Sequence, residues 1–313
     1  MNNSKSNCET SEMLISNLSG KVACVIFLFF VVAVTVFGNF MLIFKVVRRA
    51  GLHRKINVFV ISLAVADCGV ALLVMLPSIF QDFISHSLLH GKLIRKIVFA
   101  FDCMFTTSSI LHFTCMNVDR YIAVSTPLKY FQKMNAKVVS MLIIFSWILS
   151  SAISVTIVLL NSENVGCEYS LIVEGVASVM GAVLAFYLPL LLNIVASVKI
   201  VLKVRNRNKF LCNELEGKCS TLRRQQHKIE TRVTRTIMIL QGTFAVCTTP
   251  FFLLLFLVNL FGIKASYTAW FMVAWLGYSN STINPYLYYF LNKRFKNTDK
   301  NNHREHIQFG NKI

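Results

Sequence analysis

Apolar residues occur along the chain in long stretches that alternate with shorter polar segments. A stretch of about 20 apolar residues is the length that an α-helix needs to cross the hydrocarbon core of a bilayer. Such stretches predict spans at residues 22–47, 56–82, 97–121, 138–160, 173–202, 230–258 and 266–290. The third and the seventh are the most polar, so six or eight spans are the alternatives. The pattern therefore predicts an all-α membrane protein with seven transmembrane helices.

The same pattern divides the chain into three parts. We predict an N-terminal tail over residues 1–21, a seven-helix bundle over 22–290 and a C-terminal segment over 291–313. The connections inside the bundle are short except for residues 203–229, which are basic and polar and show no apolar period. We predict that residues 203–229 form a mobile cytosolic loop that extends the fifth and sixth helices.

Single prolines stand inside four of the predicted spans, at Pro77, Pro189, Pro250 and Pro285. A proline in a helix removes one backbone hydrogen bond and frees a carbonyl, so each should kink its helix toward the bundle interior. An ion-coupled transporter, an alternative class of protein, would be expected to show paired helix breaks in two matching halves. The unpaired prolines disfavour a transporter.

The chain has a formal net charge of +18, with 32 Lys and Arg against 14 Asp and Glu. All but six of the basic residues lie in segments 45–55, 120–137, 199–235 and 293–313, which share one side of a seven-span bundle. An excess of Lys and Arg marks the cytoplasmic side of a membrane protein and also attracts acidic lipid headgroups. The charge therefore predicts a multi-pass plasma-membrane protein with its N-terminus outside, rather than a nucleic-acid-binding protein.

The predicted outer segments contain candidate modification sites. Asn2 and Asn17 each begin an Asn-x-Ser sequon, which predicts glycosylation, with chance occurrence as the alternative. Cys8 and Cys167 are the cysteines predicted outside the membrane on that side. A disulfide between them is one alternative, which spacing alone does not establish.

Asp102 is a carboxylate within the apolar stretch IVFAFDCMFTTSSILHF. A charged side chain at membrane depth is costly, so it is a candidate functional group that awaits a cation. Arg120 follows 18 residues later, five helical turns on, so it shares a helix face with Asp102 at a separation of roughly 27 Å. Thr106 and Ser109 lie between them on that face. A snorkelling pair at the membrane interface explains Asp119 and Arg120 but leaves Asp102 unexplained.

A second acid, Asp67, lies inside the second span, and the seventh span supplies Asn280, Ser281 and Asn284. Together with Ser109, these side chains can surround a small cation such as sodium with oxygen ligands. A water-filled polar network is the alternative. No other metal or cofactor is predicted.

Seven motifs in a fixed order resemble the rhodopsin-like, or class A, G-protein-coupled receptors. They are Gly38-Asn39, LAVAD ending at Asp67, DRY at Asp119–Tyr121, Trp147, Pro189, F-x-x-C-x-x-P from Phe244 to Pro250, and NPYLY from Asn284 to Tyr288. The resemblance extends over residues about 30–296. It implies a seven-helix receptor that is not an enzyme, with a short amphipathic cytoplasmic helix 8 around Phe295 and a heterotrimeric G protein as partner.

Within that family the chain resembles the amine receptors, and most of all the trace-amine-associated receptors. Asp102 stands where those receptors bind the ammonium group of the ligand, and WLGYSNSTINPYLYY resembles their seventh helix. The resemblance implies a small protonated monoamine as the ligand. The implied ligand contacts are Asp102, Cys103, Thr106, Phe251, Phe252, Trp275 and Tyr278. Ordinary helix packing is the alternative for the aromatic residues.

The resemblance also implies positions that switch the receptor between states. These are Ile110, Asp119, Arg120, Pro189, Glu230, Phe244, Thr248, Pro285 and Tyr288. An ion pair of Arg120 with Glu230 would hold the inactive state. Three residues depart from the family pattern. Arg95 stands in place of a cysteine that forms a disulfide in the family, Thr248 stands in place of a tryptophan, and Ser197 stands in place of a tyrosine.

The fifth helix departs from the catecholamine receptors in particular. Gly181, Ala182 and Ala185 stand where those receptors have serines, so the resemblance disfavours a catechol ligand. Two alternatives to an amine receptor remain open. One is a class A receptor for a peptide or another cationic ligand, and the other is a receptor with weakened signalling.

Overall fold

The computed structural model describes residues 18–48, 55–84, 92–126, 129–160, 175–214 and 221–291. Within these ranges the chain forms seven long helices and no strand. We number them α1 (Leu18–Arg48), α2 (residues 55–84), α3 (Lys92–Ser125), α4 (Ala136–Leu160), α5 (residues 176–214), α6 (Thr221–Phe261) and α7 (Tyr267–Leu291). A one-turn helix, Tyr130–Lys133, lies between α3 and α4. The predicted all-α architecture is confirmed.

Several predictions concern residues outside these ranges. They are the glycans at Asn2 and Asn17, the disulfide between Cys8 and Cys167, and helix 8 within residues 292–313. These remain predictions.

Two of the helices contain wider, π-helical turns. α2 consists of Lys55–Val70, the π turn Ala71–Met75, Leu76–Ile79 and the π turn Phe80–Ile84, and α5 consists of Val176–Ala182, the π turn Val183–Tyr187 and Leu188–Glu214. One π turn in each helix ends two residues before a proline, Pro77 in α2 and Pro189 in α5. The proline ring has no N–H and clashes with the carbonyl four residues earlier. A wider turn there lets the helix continue past the proline.

Six of the seven helices, α1 to α6, are long and apolar enough to cross a membrane. Among these six, α3 contains the least apolar candidate span. α7 has 25 residues but is not one of the six. Both findings agree with the prediction that the third and seventh spans are the most polar. The polarity of α7 comes partly from Asn280, Ser281 and Asn284, which are all buried.

The helices bury polar residues and expose apolar ones, as expected for a bundle whose outer surface contacts lipid. In α1, Phe30 and Phe37 are each 63% exposed, whereas Thr35 and Asn39 are fully buried. Asn39 donates hydrogen bonds to the carbonyls of Thr35 and Ser281, both at 3.0 Å. The bond to Ser281 joins α1 to α7.

A chain of hydrogen bonds joins α2, α3 and α4. Trp147 donates to the Ser62 hydroxyl at 3.0 Å, and that hydroxyl lies 2.7 Å from Nε2 of His112. Nδ1 of His112 lies 2.7 Å from the carbonyl of Ser108, so Nδ1 carries a proton and Nε2 accepts from Ser62. With His112 neutral, each donor and acceptor in this series of hydrogen bonds has a partner.

The cytosolic ends of α5 and α6 extend further than the hydropathy pattern predicts. Of the predicted loop 203–229, residues 203–214 belong to α5 and residues 221–229 to α6. The segment is rich in Lys, Arg, Leu, Gln and Glu, which favour helix, and Gly217 is its one glycine or proline. A helix can therefore continue beyond the apolar span, and the predicted loop is largely helical where it is described.

Candidate functional site

Asp102 lies in the outer part of α3 and faces α7. The Tyr278 hydroxyl donates a hydrogen bond to Oδ2 of Asp102 at 3.2 Å. Asp102 is half-buried and Tyr278 is buried. No basic side chain among the described residues forms an ion pair with Asp102. Within the described part of the chain, the carboxylate therefore has a neutral partner but no counter-ion.

Asp102 lines an internal cavity of about 80 Å³ between α3, α5, α6 and α7. Six of the seven predicted ligand contacts line it: Asp102, Cys103, Thr106, Phe251, Phe252 and Tyr278. The described residues that line this cavity include no Lys, Arg or His. The arrangement leaves room for a small cation beside the carboxylate.

Trp275, the seventh predicted contact, is not among the residues that line the cavity. Its ring packs against Tyr278 and Phe271, with ring centroids 5.7 and 5.8 Å apart. These rings belong to a buried cluster that includes residues of α1 and α2. Trp275 therefore faces that cluster instead of the cavity, and it packs against the ring of Tyr278.

Aromatic side chains of α6 form one wall of the cavity. Phe251 packs edge-on against Phe252, with ring centroids 5.4 Å apart, and against Trp270 at 5.7 Å. Phe252 stacks on Phe186 of α5 at 4.1 Å. This wall is apolar and held in place by neighbouring rings, so it suits the hydrocarbon part of a ligand.

The α5 wall of the cavity consists of small residues. Gly181, Ala182 and Ala185 all line it, as does Ser178. A side chain at Gly181 would meet Ile157, since a Cβ atom there would lie 2.6 Å from Ile157 Cδ1. Ser178 was not predicted as a site residue. It supplies the one hydroxyl that the described α5 residues bring to the cavity.

The predicted sodium site lies at the deep end of the same cavity. Ser109, Asn280 and Ser281 line that end, together with Phe244 and Thr248. The amine site and the polar site, predicted as separate features, are therefore continuous.

Asp67 and Asn284 lie next to this deep end. Asn284 donates a hydrogen bond to Oδ2 of Asp67 at 3.1 Å, and Ser281 also lies beside Asp67. The buried oxygens without a hydrogen-bond partner in the described part of the chain include Asp67 Oδ1, Asn280 Oδ1 and Asn284 Oδ1. Buried acceptors without donors are costly, so the donor set fits a small cation that takes oxygen ligands.

Arg120 and Asp119 form a buried ion pair at the inner end of α3. Nη2 and Nε of Arg120 lie 2.6 and 2.9 Å from Oδ2 of Asp119. Tyr130 of the one-turn helix donates to Oδ1 of Asp119 at 2.8 Å. The backbone of Glu230 is helical, but its side chain is outside the described part, so its predicted ion pair with Arg120 remains a prediction.

The other predicted switch residues lie in the interior of the bundle. Ile110, Phe244 and Thr248 are 1%, 3% and 6% exposed. Pro189 and Pro285 are also buried. Tyr288 donates a hydrogen bond to Asn57 of α2 at 2.9 Å. These positions therefore link helices at the depth between the cavity and the cytosolic face.

A buried amide network joins α3, α5 and α6, and the sequence analysis did not predict it. The side-chain amide of Asn117 donates to Asn193 at 2.8 Å and to Gln241 at 2.9 Å. Asn193 in turn donates to Thr114 at 3.0 Å. Ser197, which replaces a tyrosine of the family pattern, donates to Gln241 at 3.3 Å. Amide side chains inside apolar spans were the signal that could have indicated this network.

Comparison with known proteins gives a consistent result. The family described as "7 transmembrane receptor (rhodopsin family)" matches residues 38–288. The chain is 29% identical to the human 5-hydroxytryptamine receptor 4, over 88% of this chain and 78% of that protein. It is 30% identical to the D(1)-like dopamine receptor of Oreochromis mossambicus, over 90% and 77%. It is 27% identical to trace amine-associated receptor 365 of Petromyzon marinus, over 85% and 75%.

Proposed function

Because the chain belongs to the amine receptors of the rhodopsin family, we propose that it binds a small protonated amine at Asp102 and activates a heterotrimeric G protein. Members of this family are multi-pass membrane receptors and not enzymes. We place the receptor in the plasma membrane with its N-terminus outside, as the distribution of Lys and Arg predicts. The observation that carries the proposal is the Asp102 carboxylate, which lines a cavity without a basic partner among the described residues.

The chemistry of an amine suits this carboxylate. Aliphatic amines resemble the lysine side chain, whose pKa is about 10.4, so they carry a positive charge at neutral pH. An ammonium at Asp102 would form a charge-assisted hydrogen bond in a site lined mostly by apolar side chains. The aromatic faces of Phe251 and Phe252 line the same cavity and can add cation–π attraction of about 0.5–2 kcal/mol.

The cavity walls favour a small and mostly apolar amine. A volume of about 80 Å³ suits a small molecule better than a peptide. The α5 wall carries the small apolar residues Gly181, Ala182 and Ala185, which cannot bind the paired hydroxyls of a catechol. A trace-amine-like monoamine fits these walls. The relatives, named for different amines, support the amine group as a whole.

We further propose that a sodium ion binds below the amine. Asp67 and Asn284 each present a buried oxygen without a hydrogen-bond partner, and Ser281 lies beside Asp67. A bound cation would neutralise the Asp67 carboxylate and satisfy acceptors that the protein leaves open.

Signalling in this proposal is a shift between two states of the bundle. The amine would favour the state in which α6 moves outward, which requires the contacts between α3 and α6 to break. The proposed contacts are the predicted pair of Arg120 with Glu230 and the amide bond of Asn117 with Gln241. A G protein would then bind at the exposed inner face.

The proposal is tested by replacing Asp102 with alanine. Loss of a desolvated ion pair costs about 3–5 kcal/mol, so amine potency in a second-messenger assay should fall roughly 100-fold or more. Asp82→Ala is the matched control, because Asp82 at the outer end of α2 does not line the cavity. If both variants retain potency within a few-fold at equal surface expression, the amine proposal is wrong.

A further inference from the structure

The cavity that contains Asp102 is elongated along the bundle. On α6, Leu255, Thr248 and Phe244 line it at successive depths, and on α3 it runs from Asp102 to Ser109. Seven residues separate Asp102 from Ser109, which corresponds to on the order of 10 Å along a helix. A cavity of about 80 Å³ spread over that depth is a narrow channel. Its shape suits a linear molecule that lies along the bundle axis.

The two ends of this channel have different chemistry. The outer end carries the Asp102 carboxylate, and the deep end carries the polar side chains of Ser109, Asn280 and Ser281. Asn280 is 3% exposed, and its Oδ1 has no hydrogen-bond partner. A buried acceptor that lacks a donor favours a ligand group that supplies one.

From these observations, and resting on the proposed amine site, we propose that the deep end is a second ligand subsite. It would bind a hydroxyl group at the end of the amine opposite to the ammonium. The hydroxyl would donate to Asn280 Oδ1 and accept from the hydroxyl of Ser109. The ligand class is then a linear amine with a terminal alcohol or phenol.

Thr248 makes this subsite accessible from the outer end. It lies on α6 between Phe244 at the deep end and Phe251 and Phe252 at the outer end, and all four residues line the cavity. A threonine leaves the channel open at this depth, whereas a large aromatic side chain would fill it. Thr248 is therefore the residue that determines how deep a ligand can reach.

A neutral hydroxyl suits the deep end better than a second ammonium group. Asp67 next to this end already accepts a hydrogen bond from Asn284, and we assign its free oxygen to a sodium ion. A sodium ion there would repel a second cation. A hydroxyl adds no charge and can both donate and accept.

The first part of the test compares ligands on the unchanged receptor. Pairs of amines that differ by one terminal hydroxyl are compared in a second-messenger assay, in alkylamine and phenylalkylamine series of increasing length. Because the hydroxyl adds one hydrogen bond, we predict that the hydroxylated member is about three- to tenfold more potent at the length that fits the channel. Equal potency within every pair would overturn the proposal.

The second part locates the hydroxyl with variants. Asn280→Leu should abolish the advantage of the hydroxylated amine and leave the potency of the parent amine within threefold, or about 0.7 kcal/mol. Thr248→Trp should also abolish the advantage, whereas Thr248→Val keeps the space and should preserve it. Ser178→Ala removes the hydroxyl of the α5 wall and serves as the matched control. Loss of the advantage in Ser178→Ala, but not in Asn280→Leu, would place the hydroxyl against α5 and overturn the proposal.

This test is independent of the test of amine binding itself. If Asp102→Ala abolishes the response to every amine while Asn280→Leu and Thr248→Trp leave the hydroxyl preference intact, the receptor function stands and the deep subsite is wrong. If Asp102→Ala has no effect on any amine, the proposed function fails. Surface expression of each variant is measured with an epitope tag, so that loss of folding is distinguished from loss of binding.

Discussion

Asn117 of α3 and Gln241 of α6 are joined by a hydrogen bond of 2.9 Å between their side-chain amides. Both residues are buried, and the bond lies between the cavity that contains Asp102 and the ion pair of Arg120 with Asp119. An outward movement of α6 must break it. The bond therefore stabilises the arrangement of helices that this structure shows.

We predict that Gln241→Leu raises signalling in the absence of ligand. The substitution removes the acceptor on α6 and leaves Asn117 bonded to Asn193 alone within the amide network. A net loss of about 0.5–1.5 kcal/mol from the inactive state would increase the active population roughly two- to tenfold. Basal second-messenger production per receptor at the cell surface measures this change.

Thr243→Val is the matched control for Gln241→Leu. Thr243 is also on α6, but its hydroxyl bonds to the carbonyl of Ile239 within the same helix. We expect no change in basal signalling from this variant. An equal rise in both variants would show that the amide bond is not responsible.

We predict that Tyr278→Phe weakens amine binding less than Asp102→Ala does. The phenylalanine keeps the ring but removes the hydroxyl that donates to Asp102. Loss of one hydrogen bond to the carboxylate should reduce potency by about three- to tenfold. Tyr267→Phe is the control, since Tyr267 donates to Asp82 at the outer ends of α7 and α2. A potency loss in Tyr267→Phe as large as in Tyr278→Phe would contradict the assignment.

We predict that sodium stabilises the purified receptor through Asp67. A ligand that binds the folded state alone raises the unfolding temperature with its concentration. The unfolding temperature should therefore rise with sodium chloride but not with choline chloride at the same ionic strength. Asp67→Asn should remove the difference between the two salts. A persistent difference in this variant would place the ion elsewhere.

We predict that His112→Leu destabilises the receptor without changing amine potency. The substitution leaves the hydroxyl of Ser62 without its acceptor in a buried position, which costs about 1–3 kcal/mol. The unfolding temperature in detergent should fall for this reason. Ser151→Ala is the control, because Ser151 bonds to the carbonyl of Trp147 within α4. An unchanged unfolding temperature for His112→Leu would show that the chain of hydrogen bonds adds no stability.

The hydropathy pattern was sufficient to predict the more apolar helices because lipid-facing positions must be apolar. It was also sufficient to single out Asp102, since an acid at membrane depth stands out against its neighbours. The amide side chains inside the spans were visible in the sequence, but their pairing was not predictable, because Asn117 is 76 and 124 residues away in sequence from its partners Asn193 and Gln241. No periodic pattern connects residues at such distances.

The position of Trp275 shows a second limit of the sequence. The resemblance to amine receptors implied that both Trp275 and Tyr278 line the cavity. The direction in which each ring points depends on the neighbouring helices, and Trp275 packs against Phe271 and Tyr278 instead. Motif resemblance identifies the residues near a site, but packing decides which of them reach it.

The polarity of α7 has a consequence for the biosynthesis of the receptor. A segment that hydropathy alone does not mark as a span should partition poorly into the bilayer by itself when it leaves the translocon. Its polar groups find partners on the helices that are synthesised first. Thr282 and Ser281 of α7 form hydrogen bonds with residues of α1, and Asn284 of α7 forms one with a residue of α2. We therefore expect α1 and α2 to help α7 insert, and we expect mutations in α1 or α2 to cause retention in the endoplasmic reticulum through a defect in α7.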